Sequence, residues 1–339
     1  MKKVLIIAEA GVNHNGDIDM AKKLIDIAAD AGADYVKFQT FKTEKLVSNI
    51  AKKAQYQQEN VNDKSDSQFE MLKKLELSQI QHVELIAYCK GKKIKFLSTA
   101  FDLESIDLLE NLGIDLFKIP SGEITNLPYL KKIGKLNKSV IISTGMCVII
   151  EIEDALNILL NAGTDRNKIS ILHCTSDYPT KMEDVNLNAM ITIQNKFNLP
   201  VGYSDHTLGI EVPIAAVAMG ATIIEKHFTI DNTLPGPDHK ASLEPIALKA
   251  MIHAIRNIEQ ALGNADKQPT ETEKKNMQVS RKSIHLAKNL QKNHLITETD
   301  IVMKRPGDGI SPMLMDKVIA KKINQDFNAD HKLKWEDLV

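Results

Sequence analysis

The chain has 339 residues, of which 43% are hydrophobic and 26% are charged, and its formal net charge is −1. This composition is typical of a globular protein with enough length for one large domain and a small one. The charge gives no indication of a nucleic-acid or membrane partner, so any anion must be bound by a local cluster of basic groups. The three cysteines, Cys89, Cys147 and Cys174, do not predict a disulfide framework.

The first residues, "MKKVLIIAEAG", contain two lysines and a short apolar run. Glu9 interrupts this run before it reaches the length of a secretory signal. No later stretch is long and apolar enough to span a bilayer. We therefore expect a protein of the reducing cytoplasm.

Short apolar runs then recur along the chain at regular intervals. They are "VLIIAE" (4–9), "YVKFQT" (35–40), "IKFLST" (94–99), "LFKIPS" (116–121), "VIISTG" (140–145), "ISILHCT" (169–175), "VGYSDH" (201–206) and "TIIEKHF" (222–228). Each has the composition of a strand that is buried on both faces. Helix-like patterns separate them, and a glycine suited to ending a helix often precedes the next run, as at Gly32 and Gly163. This alternation predicts a (β/α)₈ TIM barrel, with a doubly wound open sheet as the alternative.

Two further segments differ from this alternation. Residues 41–80, between the second and third runs, are polar, helix-prone and longer than the other connections. An insertion after a barrel strand lies at the mouth of the barrel, so this segment is either a lid over the substrate or a plain surface excursion. After residue 263 the alternation stops. We predict a catalytic barrel at 1–263, a linker at 264–280 and a small, mainly β domain at 281–339.

The eight runs begin apolar and end polar. In a parallel barrel all these ends lie at one rim, where TIM-barrel enzymes keep their catalytic groups, so the pattern favours an active site. The polar residues at or just beyond the strand ends are Glu9, Asn13, His14, Lys37, Gln39, Ser98, Thr99, Lys118, Ser121, Glu123, Ser143, Thr144, His173, Thr175, Ser204, Asp205, His206, Glu225 and His227.

His206 and His227 end the seventh and eighth runs, which are neighbours in such a barrel and lie about 4.8 Å apart. Side chains alternate along a strand, so Glu225 and His227 share one face and Lys226 takes the other. Two imidazoles with nearby carboxylates and water suit Mn²⁺, Co²⁺ or Zn²⁺ in a site left open for substrate. An acid/base group or a structural hydrogen bond is the alternative role for each histidine.

Basic and hydroxyl side chains at the same rim can bind a phosphate or a carboxylate. They are Lys37, Lys118, Thr99, Ser121, Ser143 and Ser204. Two alternatives stay open for this set. The hydroxyl groups can satisfy loop backbone instead, and Lys118 can form a Schiff base, as in a barrel aldolase.

Longer sequence blocks resemble the sialic acid synthase family, whose members make N-acetylneuraminate, legionaminate or pseudaminate. The blocks occur in order over nearly the whole chain: "IAEAGVNHNGD", "KFQTFK", "KIPSGEITNLPYL", "STGM", "LHCTSDYPT", "GYSDHTLG", "EKHFT", "GPDHKASLEP" and "KRPGDGISP". Residues 281–339 resemble the antifreeze-like (SAF) domain that follows the barrel in this family. One departure is Ala100 of "STAF", where relatives often have proline.

The resemblance implies a metal-dependent condensation of phosphoenolpyruvate with N-acetylmannosamine and water, giving N-acetylneuraminate and phosphate by C–O cleavage. The alternative within the family is an N,N'-diacetyllegionaminate synthase that uses 2,4-diacetamido-2,4,6-trideoxy-mannose. Outside the family, the alternatives are the Schiff-base aldolase and a non-catalytic carbohydrate- or ice-binding protein built around the last domain. The resemblance also implies a domain-swapped homodimer.

The resemblance assigns roles to residues of this chain. It implies that Glu123, Lys118 and Glu9 are catalytic, with Glu123 acting either as a base or as an electrostatic stabiliser. The implied phosphoenolpyruvate-binding residues are Lys37, Thr99, Lys118, Ser121, Ser143 and Ser204. The implied sugar-binding residues are Gln39, Tyr178 and Asp238, together with Arg305 from the partner subunit. His206 and His227 are the implied ligands of a divalent ion, with Mn²⁺ expected and Mg²⁺ or Co²⁺ as alternatives.

Overall fold

The computed structural model describes residues 3–61 and 65–339. The chain divides into two compact units, Met1–Asn264 and Ala265–Val339. Among the described residues, no helix has the length and apolar character that crossing a bilayer requires.

The first unit is a parallel β-barrel surrounded by helices. Within the described residues its eight strands are β1 (Leu5–Gly11), β2 (Tyr35–Thr40), β3 (Lys95–Ala100), β4 (Leu116–Ile119), β5 (Ser139–Ser143), β6 (Ile169–Cys174), β7 (Val201–Asp205) and β8 (Ile223–His227). Their order is β3-β2-β1-β8-β7-β6-β5-β4, and β3 lies beside β4. Each strand is therefore next to its neighbours in sequence, and the first is next to the last. This order confirms the predicted (β/α)₈ barrel and excludes the doubly wound sheet, whose strand order reverses.

Helices follow the strands and cover the barrel. They are α1 (Ile18–Ala31), α2 (Thr43–Leu46), α3 (Gln55–Val61), α4 (Gln68–Lys73), α5 (Gln79–Gly91), α6 (Leu103–Asn111), α7 (Leu127–Leu136), α8 (Ile149–Ala162), α9 (Asn188–Phe197), α10 (Glu211–Ala218) and α11 (Pro245–Ala261). Helix α1 shows how the sequence specifies these elements. Asp17 caps its first turn by accepting from the backbone N–H of Asp19, and Gly32 ends it with a left-handed φ of 85°. Its buried face packs Leu24 and Ile25 against the strands.

The register of the strands brings polar residues to one level at the carboxyl ends. Glu9 of β1 is paired with Lys37 of β2 on one side and with His227 of β8 on the other. Ser204 of β7 is paired with Glu225 of β8. Because register partners in a parallel pair point to the same face, these side chains converge inside the barrel mouth.

The segment between β2 and α5, called here the β2–α5 segment (residues 41–78), carries helices α2, α3 and α4. Residues 62–64 of the segment lie outside the described residues. The segment has an apolar cluster of its own, separate from the barrel core, which includes Phe41 and Met71. It also contacts the β1–α1 loop closely, since a Cβ at Gly16 would lie 2.3 Å from the carbonyl oxygen of Lys74. Only glycine fits there.

The second unit contains helix α12 (Glu271–Ser280), an antiparallel pair of strands β9 (Ser283–Leu286) and β10 (Ile301–Lys304), and the short helix α13 (Met315–Val318). Its core includes Ile284, Leu286, Ile323 and Leu333. The linker expected at 264–280 includes α12, a helix that the sequence pattern did not reveal. Thr270 and Glu273 start this helix with a capping box, but it buries no residue and so has no apolar periodicity.

Candidate active site

A cavity of about 380 Å³ lies at the carboxyl ends of the barrel strands. Residues predicted for the site that line it are Glu9, Lys37, Gln39, Thr99, Lys118, Ser121, Ser143, Tyr178, Ser204, His206, His227 and Asp238. They come from all eight strands or from the loops that directly follow them. Convergent polar groups in a concave site at this face of a TIM barrel are typical of an active site.

Two lysines and two carboxylates form a buried network on the cavity floor. Lys37 Nζ lies 2.9 Å from Glu9 Oε2 and 3.6 Å from Glu225 Oε2. Lys37 Nζ also donates to Thr99 Oγ1 at 3.0 Å. Lys118 Nζ donates to Glu225 Oε1 at 2.9 Å. Glu225 therefore holds both ammonium groups, a role that its position at the end of β8 does not by itself indicate.

Burial and charge set the protonation of this network. Burial pushes the pKa of Glu225 upward, but the ammonium groups of Lys118 and Lys37 outweigh this effect and hold it well below its usual range. Burial raises the pKa of Glu9 to about 7, because Lys37 opposes the shift only in part and Glu225 adds to it. Burial also lowers the pKa of Lys118, against the attraction of Glu225. This network thus contains one firmly ionised carboxylate, Glu225, and one carboxyl that exchanges a proton near neutral pH, Glu9.

Hydroxyl groups line the side of the cavity next to Lys118. Ser121 Oγ accepts from the backbone N–H of Gly145 at 2.9 Å, and Ser204 Oγ donates to Glu225 Oε1 at 3.0 Å. Ser143 Oγ is buried without a hydrogen-bond partner. A Cβ at Gly145 would lie 2.9 Å from Ser121 Oγ and 2.2 Å from Ser176 Oγ, so glycine allows the loop to approach both serines. The unpaired Ser143 hydroxyl is the group in this set most clearly available to a ligand.

The two histidines lie side by side, with ring centroids 5.4 Å apart. His206 Nδ1 is 2.6 Å from the carbonyl oxygen of Thr175, which only accepts, so Nδ1 carries the proton and Nε2 keeps its lone pair. His227 Nδ1 is buried without a hydrogen-bond partner, and Asp238 Oδ2 lies 3.9 Å from it. The ring of Tyr178 packs 4.2 Å from that of His206.

Both imidazoles are neutral at physiological pH. Burial lowers the pKa of His206 to about 4. Burial, and then the neighbouring His206, lowers the pKa of His227 well below its usual value. Burial also raises the pKa of Asp238 to about 6, although Lys37 opposes this shift. Neutral imidazoles with free lone pairs are the form that binds a divalent ion.

Two protein nitrogens alone do not complete the shell of a metal ion. Within the described part of the chain, no group of three or more His, Cys, Asp or Glu side chains is arranged to hold one. The orphaned Nδ1 of His227 and the free Nε2 of His206 fit an open ion site, in which water and substrate would complete the shell. They do not fit a closed structural site.

Several polar residues predicted at the rim do not line the cavity. Ser98 Oγ pairs with Thr40 Oγ1 at 2.6 Å, His173 Nε2 with the carbonyl oxygen of Val185 at 2.9 Å, and Asp205 with Lys226. These side chains lie on the outer face of their strands, because alternation sends neighbouring residues to opposite faces. They lie at the predicted rim, but their side chains take no part in the cavity described above.

Loop residues beyond the strands also differ from expectation. Asn13 Nδ2 donates to the carbonyl oxygen of Phe228 at 2.9 Å and so joins two loops. Glu123 lies on a 3₁₀ turn, Ser121–Glu123, where Asn126 Nδ2 donates to its carboxylate at 2.6 Å. Burial raises the pKa of Glu123, and Asn126 opposes the shift. The described lining residues do not include Glu123, whereas Glu9 lies among them.

Arg305 belongs to the second unit, where its Nε donates to the carbonyl oxygen of Ser280 at 3.0 Å. Its expected contact with a sugar stays a prediction.

Comparison with known proteins identifies the family. Residues 24–267 match the NeuB family, and residues 281–339 match the SAF domain. The chain belongs to the NeuB family. This confirms the predicted relationship to the sialic acid synthases and the predicted fold, and it shows an enzyme of the nonulosonate synthase type. The alternative of a non-catalytic binding protein is therefore wrong.

Individual NeuB-family relatives match over almost their full length. The N,N'-diacetyllegionaminic acid synthase of Campylobacter jejuni is 53% identical, covering 98% of this chain and 100% of the relative. The N,N'-diacetyllegionaminic acid synthase of Legionella pneumophila is 46% identical over 98% of this chain and 94% of its own. The crystal structure of the N-acetylneuraminic acid (sialic acid) synthetase of Leptospira borgpetersenii is 35% identical, with a TM-score of 0.71 over 81% of this chain and 90% of that chain.

Proposed function

We propose that this protein condenses phosphoenolpyruvate with 2,4-diacetamido-2,4,6-trideoxy-mannose and water, giving N,N'-diacetyllegionaminate and phosphate. The supporting observation is the identity of 53% and 46% to two N,N'-diacetyllegionaminic acid synthases, against 35% to a sialic acid synthetase. These similarities favour the legionaminate alternative over N-acetylneuraminate, the product expected first from the family resemblance.

The charged floor of the cavity is suited to phosphoenolpyruvate, which carries a phosphate and a carboxylate. Lys37 and Lys118 are both held by Glu225, so two ammonium groups stand close together before any anion arrives. The hydroxyl of Ser143, which has no hydrogen-bond partner, lines the same space and can donate to a phosphate oxygen. Because both lysines are already ordered by Glu225, binding the anion requires little further loss of side-chain freedom.

The condensation requires one new C–C bond, one new C–O bond and the loss of phosphate. C3 of phosphoenolpyruvate bonds to the aldehyde carbon of the open-chain sugar, and the aldehyde oxygen gains a proton. Water adds to C2 and loses a proton, after which the C2–O bond breaks and the phosphate leaves with all its P–O bonds intact. We assign the proton transfers to Glu9, whose pKa of about 7 suits both directions of exchange. Glu123 is the alternative base.

His206 and His227 are the residues that would hold a divalent ion, with Mn²⁺ expected and Mg²⁺ or Co²⁺ as alternatives. When bound, such an ion supplies Lewis-acid polarisation of the aldehyde oxygen. The hydrogen bond between His206 Nδ1 and the carbonyl oxygen of Thr175 selects the tautomer and orients the ring toward the cavity. Asp238 and Tyr178 adjoin the histidines, and we assign them to contacts with the sugar.

The family resemblance supports a further proposal, that the enzyme acts as a domain-swapped homodimer. In such a dimer Arg305 of one subunit contacts the sugar in the barrel of the other.

Phosphate release with the purified protein tests the proposed function. The protein is supplied with phosphoenolpyruvate, Mn²⁺ and either the trideoxy sugar or N-acetylmannosamine. We expect release with the trideoxy sugar, a smaller kcat/KM with N-acetylmannosamine, and none with excess EDTA. Phosphoenolpyruvate labelled with ¹⁸O in the C–O–P bridge should deliver its label to phosphate.

Release of phosphate with N-acetylmannosamine alone would overturn the sugar assignment. A borohydride-trapped adduct of pyruvate on Lys118 would favour the aldolase instead.

A further inference from the structure

One wall of the cavity is apolar. The lining residues that form it are Val12, Leu46, Val47, Met71, Leu72 and Phe101. They come from the β1–α1 loop, from helix α2 and the residue after it, from helix α4, and from the residue that follows β3. The charged floor described above belongs to the strand ends, so the cavity combines ionic and apolar surfaces of different origin.

This apolar wall is a packed surface rather than a few scattered side chains. Val12, Phe41, Met71 and Leu75 form a buried cluster of their own, with Leu72 packed against it. The ring of Phe101 meets that of Phe41 edge-on, with centroids 6.4 Å apart. Helix α4 is capped by Ser67, whose Oγ accepts from the backbone N–H of Glu70 at 3.2 Å. The wall therefore has a defined shape before a ligand binds.

Two amide side chains of helix α3, close to the wall, make hydrogen bonds within the protein. Gln57 lines the cavity, but its Oε1 accepts from the backbone N–H of Ala54 at 3.0 Å. Asn60 Nδ2 donates to the carbonyl oxygen of Pro237 at 2.8 Å and ties α3 to the loop that carries Asp238. A sugar hydroxyl packed against the apolar residues themselves would lose hydrogen bonds to water, and those side chains offer it no partner in return.

The chemistry of the wall distinguishes between the acceptor sugars. Phosphoenolpyruvate is highly charged, so contact with an apolar surface of this extent would not stabilise its binding. N-acetylmannosamine carries hydroxyls at C4 and C6, whereas the trideoxy sugar carries an acetamido group at C4 and a methyl group at C6. We propose that the apolar wall selects the acceptor by packing against the C6 methyl group and the methyl end of the C4 acetamido group. Leu46, Met71 and Leu72 are then specificity-determining residues. This inference rests on the proposed function, because it concerns the sugar that the same site accepts.

The test compares wild-type protein with Leu46→Thr and Leu72→Thr, both at half-buried positions that line the cavity. Binding of each sugar is measured by titration calorimetry with phosphoenolpyruvate and EDTA present, and kcat/KM is measured with Mn²⁺. We expect each variant to lose about 10-fold or more in preference for the trideoxy sugar, the usual worth of a methyl contact in an apolar pocket. The KM for phosphoenolpyruvate should stay unchanged. Leu75→Val is the matched control, because Leu75 belongs to the same cluster but is not among the described lining residues.

The outcomes separate the wall from the proposed function. If folded Leu46→Thr and Leu72→Thr variants keep the wild-type preference for the trideoxy sugar, the inference is overturned. It is also overturned if wild-type protein binds both sugars equally or binds neither. Loss of preference in Leu75→Val as well would mean that loosening the cluster, not contact with the sugar, causes the effect, and this also overturns it. Wild-type protein that binds the trideoxy sugar preferentially but releases no phosphate contradicts the proposed function while supporting the wall.

Discussion

Lys226 and Asp205 form an ion pair with no solvent exposure of either side chain, on the outer face of strands β8 and β7. Lys226 Nζ also donates to the carbonyl oxygen of Thr207, and Asp205 Oδ1 accepts from the backbone N–H of Thr207 at 3.1 Å. Each partner of the pair directly precedes a histidine of the cavity, His206 or His227. The pair therefore fastens together the two strand ends that carry the imidazoles.

Breaking this pair should destabilise the barrel strongly. In Lys226→Met the carboxylate of Asp205 stays buried without its counter-charge, so we expect a loss of about 3–5 kcal/mol in the free energy of unfolding. The double variant Asp205→Leu/Lys226→Met should recover part of this loss, because no charge then remains buried. Urea unfolding followed by circular dichroism measures all three proteins.

The control for this prediction is Lys22→Met, which removes a surface pair with Glu84. We expect no measurable change in stability there, because exposed pairs are screened by solvent. Equal stability of Lys226→Met and wild-type protein would show that the buried pair does not hold the strands together.

Glu9 should make stability depend on pH in an identifiable window. The pKa of its carboxyl is about 7 in the folded protein, against 4.5 ordinarily. Below about pH 4.5 the Glu9 carboxyl is protonated in both the folded and the unfolded protein. As the pH rises to about 7, the unfolded protein loses this proton first, so folding is progressively disfavoured. Glu9→Gln lacks this contribution to the pH dependence. The free energy of unfolding of the variant should therefore rise relative to that of wild-type by about 3 kcal/mol between pH 4.5 and 7.

Unfolding of both proteins at several pH values between 4 and 8 measures the effect of Glu9. A difference between Glu9→Gln and wild-type that stays constant with pH would refute the raised pKa. The same variant should lose activity across the whole range, since glutamine cannot exchange the proton.

His227→Ala should weaken Mn²⁺ binding by at least about 100-fold, because losing even an outer partner of a metal ligand costs 10–100-fold. Titration of the metal-free protein with Mn²⁺, followed by electron paramagnetic resonance, measures this without relying on turnover. His173→Gln is the control, as His173 lies on the outer face of β6 and bonds to the carbonyl oxygen of Val185. Unaltered Mn²⁺ affinity in His227→Ala would remove His227 from the ion site.

Arg305→Ala should raise the KM for the sugar more than the KM for phosphoenolpyruvate. If Arg305 acts across subunits, mixing this variant with inactive His227→Ala should restore activity, since one barrel of the mixed dimer then has both intact parts. Unfolding and refolding the mixture allows subunits to exchange. Activity no higher than the sum of the two variants would argue against the domain-swapped arrangement.

The order of apolar runs and helix-ending glycines was enough to predict the barrel, and the change from apolar to polar at each strand end predicted a candidate site at the rim where the cavity lies. Both features are local and periodic, and parallel strands necessarily bring like ends together. Helix α12 could not be predicted in this way, because it lacks the apolar pattern that marks the other helices. It buries no residue, so its sequence carries no apolar period to detect.

Which polar side chains enter the cavity depended on the folded chain. Ser98 and Thr99 are adjacent, yet only Thr99 lines the cavity, because a shift of one residue along a strand reverses the face. The role of Glu225 depends on its contact with Lys118, which is 107 residues away in the chain. Lys118 Nζ donates to Glu225 Oε1 at 2.9 Å. A contact between such distant residues, and the pKa shifts that burial then imposes, exist only once the barrel has closed.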